Sequence, residues 1–503
     1  MLDILKIAPA TAELLLELSY LESRVDDYRA ARGWALRAAR IGPASLDDAI
    51  TLVRRLRTFN ESRLLDGFAR GLLGNSRANP ILVAECAAHL SNLNLPAIAL
   101  RCADAAVAAA PGSTQARLLR GQLLANHGKW AEADAGFARV LAQEPGNLQA
   151  LWLACRLRKQ TLDRNVVGLL RRALGSPTLD AHQQAVGWRA LHKALDDMGE
   201  HEEAWVAFER MCAARRASEP DDPAESSRLV DALINVDWRV RPPAPVLPSP
   251  TATPIFIVGM YRSGTTLIEQ LLGGSPEVAA LGELLDFPAA IRHVANHHFR
   301  GALDLGAVKR CNHATWGEIG SHYAESLAWR AGKCAAFTDK LPANLFNVGY
   351  ICSALPQARV IHMVRDPLDT CFSNLRELFT DINRYSYDQS SLATHFLQYR
   401  RLMLHWHSVF PGRIMDVSYE RLVSDPAGTM REVAAFCGIS FVGGMADTGA
   451  SSRAVSTSSS VQVRAPVSVP RTPKWLPYLT HLKPLIATLE EGGASIHPLA
   501  RRA

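Results

Sequence analysis

No stretch of this chain approaches the roughly 20 uninterrupted apolar residues a membrane-crossing helix needs. The opening residues, MLDILKIAPATAELLLELSY, also lack the basic segment and long apolar run of a secretory leader. The expectation is a cytoplasmic protein with no membrane contact. Cysteine occurs nine times but never as C-x-x-C, and it often sits inside apolar helix-like stretches such as LWLACRLRK, so no disulfide framework is implied. Charge of one sign is never massed. Lys and Arg total 55 against 49 Asp and Glu, a net +6 that is too small and dispersed for a nucleic-acid surface but fits one site for a small anion. With 48% hydrophobic and 21% charged residues in 503, the chain can build two or three domains, each with its own core.

Strand-like runs are missing as far as Asp237, where Ala, Leu and Arg at helical spacing dominate. Pro111-Gly112 recurs as Pro145-Gly146, and at the same offset Ala97 meets Ala131, Ala99 meets Ala133, Gln115 meets Gln149 and Ala116 meets Ala150. GKWAEADAGF, from Gly128, returns about two such intervals later as GEHEEAWVAF from Gly199, and Pro9 to Pro43 spans one interval. That interval, about 34 residues, is the tetratricopeptide period. Residues 1–240 therefore read as a helical solenoid of five or six degenerate repeats, either packing on a neighbour as a scaffold or gripping a peptide in a groove. RPPAPVLPSPTATP, from Arg241, holds six prolines in fourteen residues, and 241–253 reads as a stiff linker that no helix can cross. Beyond it, strand-like runs (IFIVG, AAFTD, ARVIHMV, RIMDVSY) alternate with helical segments, the pattern of a parallel sheet covered by helices.

PIFIVGMYRSGTTLIEQLL, from Pro254, runs an apolar strand into a glycine-bounded loop and a helix, the arrangement in which backbone N–H groups and a helix N-terminus hold a phosphate. Gly259 and Gly264 keep the phosphate-loop spacing, but Thr265 stands where nucleoside-triphosphate enzymes place lysine, and the cation is Arg262 inside the loop. This argues against ordinary ATP hydrolysis. The strand ARVIHMV ends in Arg365, Asp366 and Pro367, and a helix carrying Ser373 follows. Arg365 and Ser373 can meet one phosphate at the carboxyl edge of a sheet. A nucleotide with phosphates at both ends fits such a pair of sites.

YRSGTT followed by VIHMVRDPLDTCFSN resembles the phosphosulfate and 3′-phosphate motifs of sulfotransferases that use 3′-phosphoadenosine 5′-phosphosulfate. The likeness is greatest to tyrosylprotein sulfotransferases and to bacterial proteins that fuse tetratricopeptide repeats to such a domain, and it covers about residues 252–480. It implies an α/β P-loop-like sulfotransferase domain over 254–503, after the all-α solenoid. It places Arg262, Ser263, Gly264, Thr265 and Thr266 on the 5′-phosphosulfate, and Arg365 and Ser373 on the 3′-phosphate. Glu283, in the GE pair, falls at the catalytic base, and Lys340, in TDKLPANLF, at the lysine that steadies the transferring group. SSVQVRAPVS resembles the segment that closes over the nucleotide, with Ser459 at a catalytic serine and Gln462 and Arg464 among the binding positions. Tyr419 falls at an adenine-contacting tyrosine and Lys474 at a binding lysine. The implied product is adenosine 3′,5′-bisphosphate, and no metal is implied.

The chemistry calls for the same residue types. In-line sulfuryl transfer spreads charge over oxygens, so cations and hydroxyls such as Arg262, Lys340, Thr266 and Ser459 must surround the bridging oxygen, and a carboxylate such as Glu283 can take the proton of the attacking hydroxyl. His293 and His297 are four apart with His298 adjacent, but no H-E-x-x-H accompanies them, so a metal site is not expected. An imidazole base is the weaker alternative to Glu283. Two departures bear on function. Leu284, Leu285, Asp286 and Phe287 follow Glu283 where tyrosylprotein sulfotransferases carry an arginine that helps hold acidic peptides. After Ser373, the arginine is at 376 and the next position holds Glu377. The acceptor stays open among peptide tyrosine, a saccharide, a lipid headgroup and a small phenol. The competing readings are a nucleotide kinase or NTPase, and a non-catalytic repeat scaffold with a nucleotide-sensing domain.

Overall fold

Five helices of the first half begin at Ala12, Leu46, Pro80, Thr114 and Leu148, each 34 residues after the last. In this computed structural model, which describes residues 10–240, 252–379, 383–447 and 472–497, four of them pair with a second helix. The pairs are α1 (Ala12–Arg24) with α2 (Tyr28–Ile41), α3 (Leu46–Thr58) with α4 (Ser62–Leu73), α5 (Pro80–Asn92) with α6 (Pro96–Ala109), and α7 (Thr114–Asn126) with α8 (Trp130–Gln143). Then come α9 (Leu148–Leu157), α10 (Val167–Leu174), α11 (Ala181–Met198), α12 (His201–Ser218) and α13 (Pro223–Ile234).

The recurrence is written in capping chemistry. Thr11, Ser45, Asn79, Ser113 and Asn147 precede the five helices, and each side chain accepts a bond from a first-turn backbone N–H, a cap worth about 1 kcal/mol. Within the pairs, Asp26, Asn60, Asn94 and Gly128 turn the chain at φ 66°, 58°, 52° and 76°. Asp, Asn and Gly are the residue types that enter this left-handed region at least cost. Fully buried Ala31, Ala35, Ala99 and Ala103 let the paired helices approach closely.

The second half runs β1 (Thr253–Gly259), α14 (Thr265–Leu272), β2 (Val278–Ala280), α15 (Asp286–Ala295), α16 (Leu305–Arg310), α17 (Trp316–Ala331), β3 (Ala336–Asp339), α18 (Val348–Ala354), β4 (Arg359–Val364), α19 (Pro367–Leu375), α20 (Gln389–Val409), β5 (Ile414–Ser418), α21 (Tyr419–Ser424), α22 (Pro426–Cys437) and α23 (Lys483–Glu491). The strands form one sheet in the order β2-β3-β1-β4-β5, every pair parallel. Because side chains alternate along a strand, Ile255 and Ile257 of β1 pack with Leu267, Leu271 and Val433 on one face. Phe256 and Val258 pack with Phe287, Tyr323 and Trp406 on the other.

That second core continues into the helical half through Trp205, Phe208, Leu233 and Trp238. Trp238 stacks on Trp316 at 4.9 Å and meets Trp406 edge-on at 5.4 Å. A side chain at Gly349 would fall 2.7 Å from its ring. The earlier repeats have a core of their own, from Leu15 to Leu123. Among the described residues, no helix is long and apolar enough to cross a membrane.

Candidate functional site at the carboxyl edge of the sheet

Each strand ends, at its carboxyl side, in or near a residue singled out from the sequence: β1 in the glycine-bounded loop that carries Arg262, β2 three residues before Glu283, β3 at Lys340, β4 at Arg365 and β5 at Tyr419. In open parallel sheets this edge, where successive strands diverge to opposite sides, is where ligands bind.

The loop after β1 is shaped by three residues with positive φ, Gly259 (146°), Arg262 (69°) and Gly264 (107°). Arg262 is the strained one, since a side chain disfavours that region. A Cβ at Gly264 would lie 2.5 Å from Tyr419, so only glycine lets the tyrosine ring close on the loop. Arg262 Nε donates to Ser373 Oγ at 3.1 Å, and Arg365 Nη1 donates to the Arg262 carbonyl at 3.2 Å. The Arg365 guanidinium also stacks over Tyr419, 4.4 Å from the ring centre. Asn374 on α19 clasps the loop from behind, Nδ2 donating to the Tyr261 carbonyl at 2.7 Å. Ser263, Thr265 and Thr266 are buried. The structure thus brings together Arg262, Ser263, Gly264, Thr265, Thr266, Arg365, Ser373 and Tyr419.

Lys340 is fully buried, and its Nζ donates to Glu283 Oε1 at 2.6 Å, while the Glu283 side chain keeps 35% of its surface. The pair therefore opens to solvent on the carboxylate side. Beneath it, Glu269 accepts from Thr338 Oγ1 and from Gly282 N–H, both at 2.8 Å. Burial pushes the Glu269 carboxyl up, and the Lys340 ammonium draws it back. Lys474, exposed, lies within electrostatic reach of Arg376, Arg262 and Arg365. Ser459, Gln462 and Arg464 fall outside the described residues.

Four residues missed in the sequence, Arg156, Arg189, His192 and Asp196, come from the helical half. Arg189 of α11 makes a buried ion pair with Glu377. Burial raises the Glu377 carboxyl, but the charges of Arg189, Arg262 and Arg156 of α9 outweigh it and hold the pKa below its ordinary value. Glu377 thus serves the interface between the halves. Arg376 also turns there, donating to Asp196 Oδ2 at 2.5 Å and to His192 Nε2 at 3.0 Å. Nothing in local sequence signalled these partners, which lie 180 to 188 positions away. The histidines weighed as a base sit elsewhere: His297 Nδ1 contacts Asp26 at 2.8 Å and Nε2 contacts Asp304 at 3.0 Å. Among the described residues one grouping, His362, His407 and Asp416, has ligand-type atoms within 4.8 Å. It is closed on itself, because Asp416 Oδ1 accepts from both rings at 2.8 Å.

Residues 254–442 match the model of the sulfotransferase family. An uncharacterized protein of Aquifex aeolicus is 29% identical over 352 residues, 65% of this chain and 44% of that one, so the chain spans less than half that relative's length. Protein-tyrosine sulfotransferase 2 of Gallus gallus is 25% identical over 260 residues, 47% of this chain and 68% of that one. The omega-hydroxy-beta-dihydromenaquinone-9 sulfotransferase of Mycobacterium bovis is 25% identical over 247 residues, 36% and 61% of the two chains. The matched span takes in the sheet from Pro254 onward and the Arg262, Glu283, Lys340, Arg365 and Tyr419 positions at the strand ends, and by it residues 254–442 are a sulfotransferase-family domain.

Proposed function

We propose that the chain transfers a sulfuryl group from 3′-phosphoadenosine 5′-phosphosulfate to a hydroxyl acceptor, with Glu283 as general base. The observation that carries this reading is the convergence, on one sheet edge, of Arg262 bonded to Ser373 and Lys340 bonded to Glu283. A cationic seat for phosphates and a carboxylate with an open side stand next to each other. Two buried donors support an anion there: Ser263 Oγ and Arg365 Nε have no partner among the described residues, and a buried polar group left unsatisfied costs about 1–3 kcal/mol. A doubly phosphorylated nucleotide would satisfy both, with its base against Tyr419.

In the reaction, Glu283 takes the acceptor's proton as the new oxygen–sulfur bond forms and the sulfur–oxygen bond to the 5′-phosphate breaks. Lys340 and Arg262 offset the charge left on the departing phosphate oxygen. The products are a sulfate ester and adenosine 3′,5′-bisphosphate. For the acceptor, Leu284, Asp286 and Phe287 after Glu283 are all buried, and none is a cation that would hold an acidic peptide. This favours a hydroxyl in a neutral or apolar setting over tyrosine among acidic residues. The helical half, with its 34-residue recurrence, fits repeats of the tetratricopeptide type, giving three parts: 1–240, a linker over 241–253, and the transferase over 254–503.

The test is titration calorimetry with adenosine 3′,5′-bisphosphate, ATP and AMP, together with transfer of labelled sulfate to a panel of hydroxyl acceptors. The bisphosphate should bind in preference to the other two. Arg365→Ala should weaken it roughly ten- to hundred-fold, as loss of a charged hydrogen-bond donor predicts. Preference for ATP, or no transfer to any acceptor, would remove the reading.

A further inference from the structure

Three of the four left-handed turn residues reach one strip of the catalytic half. Asn94 Nδ2 donates to the Leu281 carbonyl. The Asn60 side chain faces the buried Asp286 and partly offsets the rise that burial gives its carboxyl. The Asp26 carboxylate accepts from His298 N–H at 2.8 Å and from Arg310 Nη2 at 2.7 Å, and holds His297 Nδ1 at 2.8 Å. The order is reversed between the two sides: turns 26, 60 and 94 meet residues 297–298, 286 and 281. A row of turns one repeat apart therefore lies along the strip that runs through Glu283 and α15. The fourth turn residue, Gly128, has no side chain to extend the row.

The Asn94 end matters most because β2 is only three residues long and lies at the sheet's edge, pairing with β3 alone. An edge strand leaves backbone groups without a ladder partner. Beyond it, Leu281 N–H donates to Thr338 Oγ1 at 3.2 Å, Gly282 N–H to Glu269 Oε1 at 2.8 Å, and Lys340 N–H to the Gly282 carbonyl at 2.9 Å. The remaining group, the Leu281 carbonyl, is met by Asn94 from the repeats. The fit is close on both sides: a Cβ at Gly282 (φ 78°) would collide with the Asn94 amide. Asn94 is itself anchored, its carbonyl accepting from Arg330 Nη2 at 2.8 Å.

We infer that Asn94 is a positioning residue for Glu283, and that the row Asp26, Asn60, Asn94 is the edge by which the repeats hold the strip carrying that carboxylate. The base-positioning part rests on the reading of Glu283 given above; the docking part does not. The experiment compares Asn94→Gly and Asn94→Asp with wild type in the full chain. Glycine keeps the left-handed turn and removes the amide, while aspartate keeps the shape and turns a donor into an acceptor facing the Leu281 carbonyl. Amide hydrogen exchange over 281–286 should quicken about ten-fold or more in both variants, with exchange over 259–266 and across the repeats unchanged. With labelled donor, kcat should fall roughly ten- to hundred-fold, the scale for a displaced catalytic group, while the donor KM stays put. Unchanged exchange over 281–286 overturns the docking. Quickened exchange with wild-type kcat, or quickening throughout the repeats, overturns the positioning role. A wild type that transfers nothing to any acceptor counts against the function reading, and the exchange measurement then decides the docking by itself.

Discussion

Replacing Glu283 by alanine removes the carboxylate that Lys340 Nζ reaches at 2.6 Å and leaves an ammonium with no exposed surface. Breaking a buried ion pair from one side costs about 3–5 kcal/mol. Here the carboxylate side keeps 35% of its surface, so water can enter in its place, and the expected loss is nearer about 2 kcal/mol. Glu283→Gln is the informative partner. Its amide oxygen still accepts from Lys340, so the stability loss should shrink to about 1 kcal/mol, the worth of an ordinary hydrogen bond. The amide cannot take a proton. Both variants should therefore lose roughly a hundred- to ten-thousand-fold in kcat, the usual contribution of a positioned base. Denaturant titration followed by fluorescence gives the stabilities, and initial rates of labelled sulfate transfer at saturating donor give kcat. Bisphosphate affinity, measured in parallel, should hold, because the nucleotide contacts assigned to Arg262, Arg365 and Ser373 are intact. Two results would refute the reasoning: a Glu283→Gln rate within ten-fold of wild type, or equal stability losses for the two variants.

Further predictions concern the contact between the halves. Arg189→Ala should destabilise by about 3 kcal/mol by leaving Glu377 buried without its partner, while Arg189→Met with Glu377→Leu should come close to wild type; equal losses for the single and double variants in a denaturant series would count against a buried pair. His192 is held neutral, its pKa lowered by burial and then by Arg376 from 6.5 to about 4. Its ring accepts from Arg376 and donates from Nδ1 to the Ala204 carbonyl at 2.9 Å. Between pH 6.5 and 4 the unfolded chain binds the proton that the folded state refuses. Stability should then fall as pH drops through that window, by up to about 1.4 kcal/mol per unit, and His192→Gln should flatten that slope in melts recorded across the range.

The repeats were legible only in part. Residue identities at the 34-residue offset gather around Pro111 and Pro145 and are sparse in the early repeats. In the structure the first two pairs keep the same 34-residue interval, caps and left-handed turns as the later ones. Their periodicity lies in residue class: Thr, Ser or Asn before each first helix, and Asp, Asn or Gly at each internal turn. Scoring the sequence for caps and left-handed turns would have found Asp26, Asn60 and Asn94 as a series. It would not have told which partner they meet.

Residue order alone settles what short-range physics controls. The glycines around Arg262, the strand before them and the helix after them specify a tight strand-to-helix loop with its backbone donors gathered at a helix N-terminus, because allowed φ values within a few residues control it. The alternation of strands and helices likewise implies a parallel sheet with its site at the carboxyl edge. The docking of the helical half onto that sheet had to come from the folded molecule. It turns Glu377 toward Arg189, Arg376 toward Asp196, His297 toward Asp26 and Asn94 onto the Leu281 carbonyl. These partners stand 180 to 271 residues apart. At that separation neither propensity nor spacing selects a contact. Burial of the shared core around Trp238 and Trp316 brings the halves together, and charge and hydrogen-bond matching then choose which side chains meet.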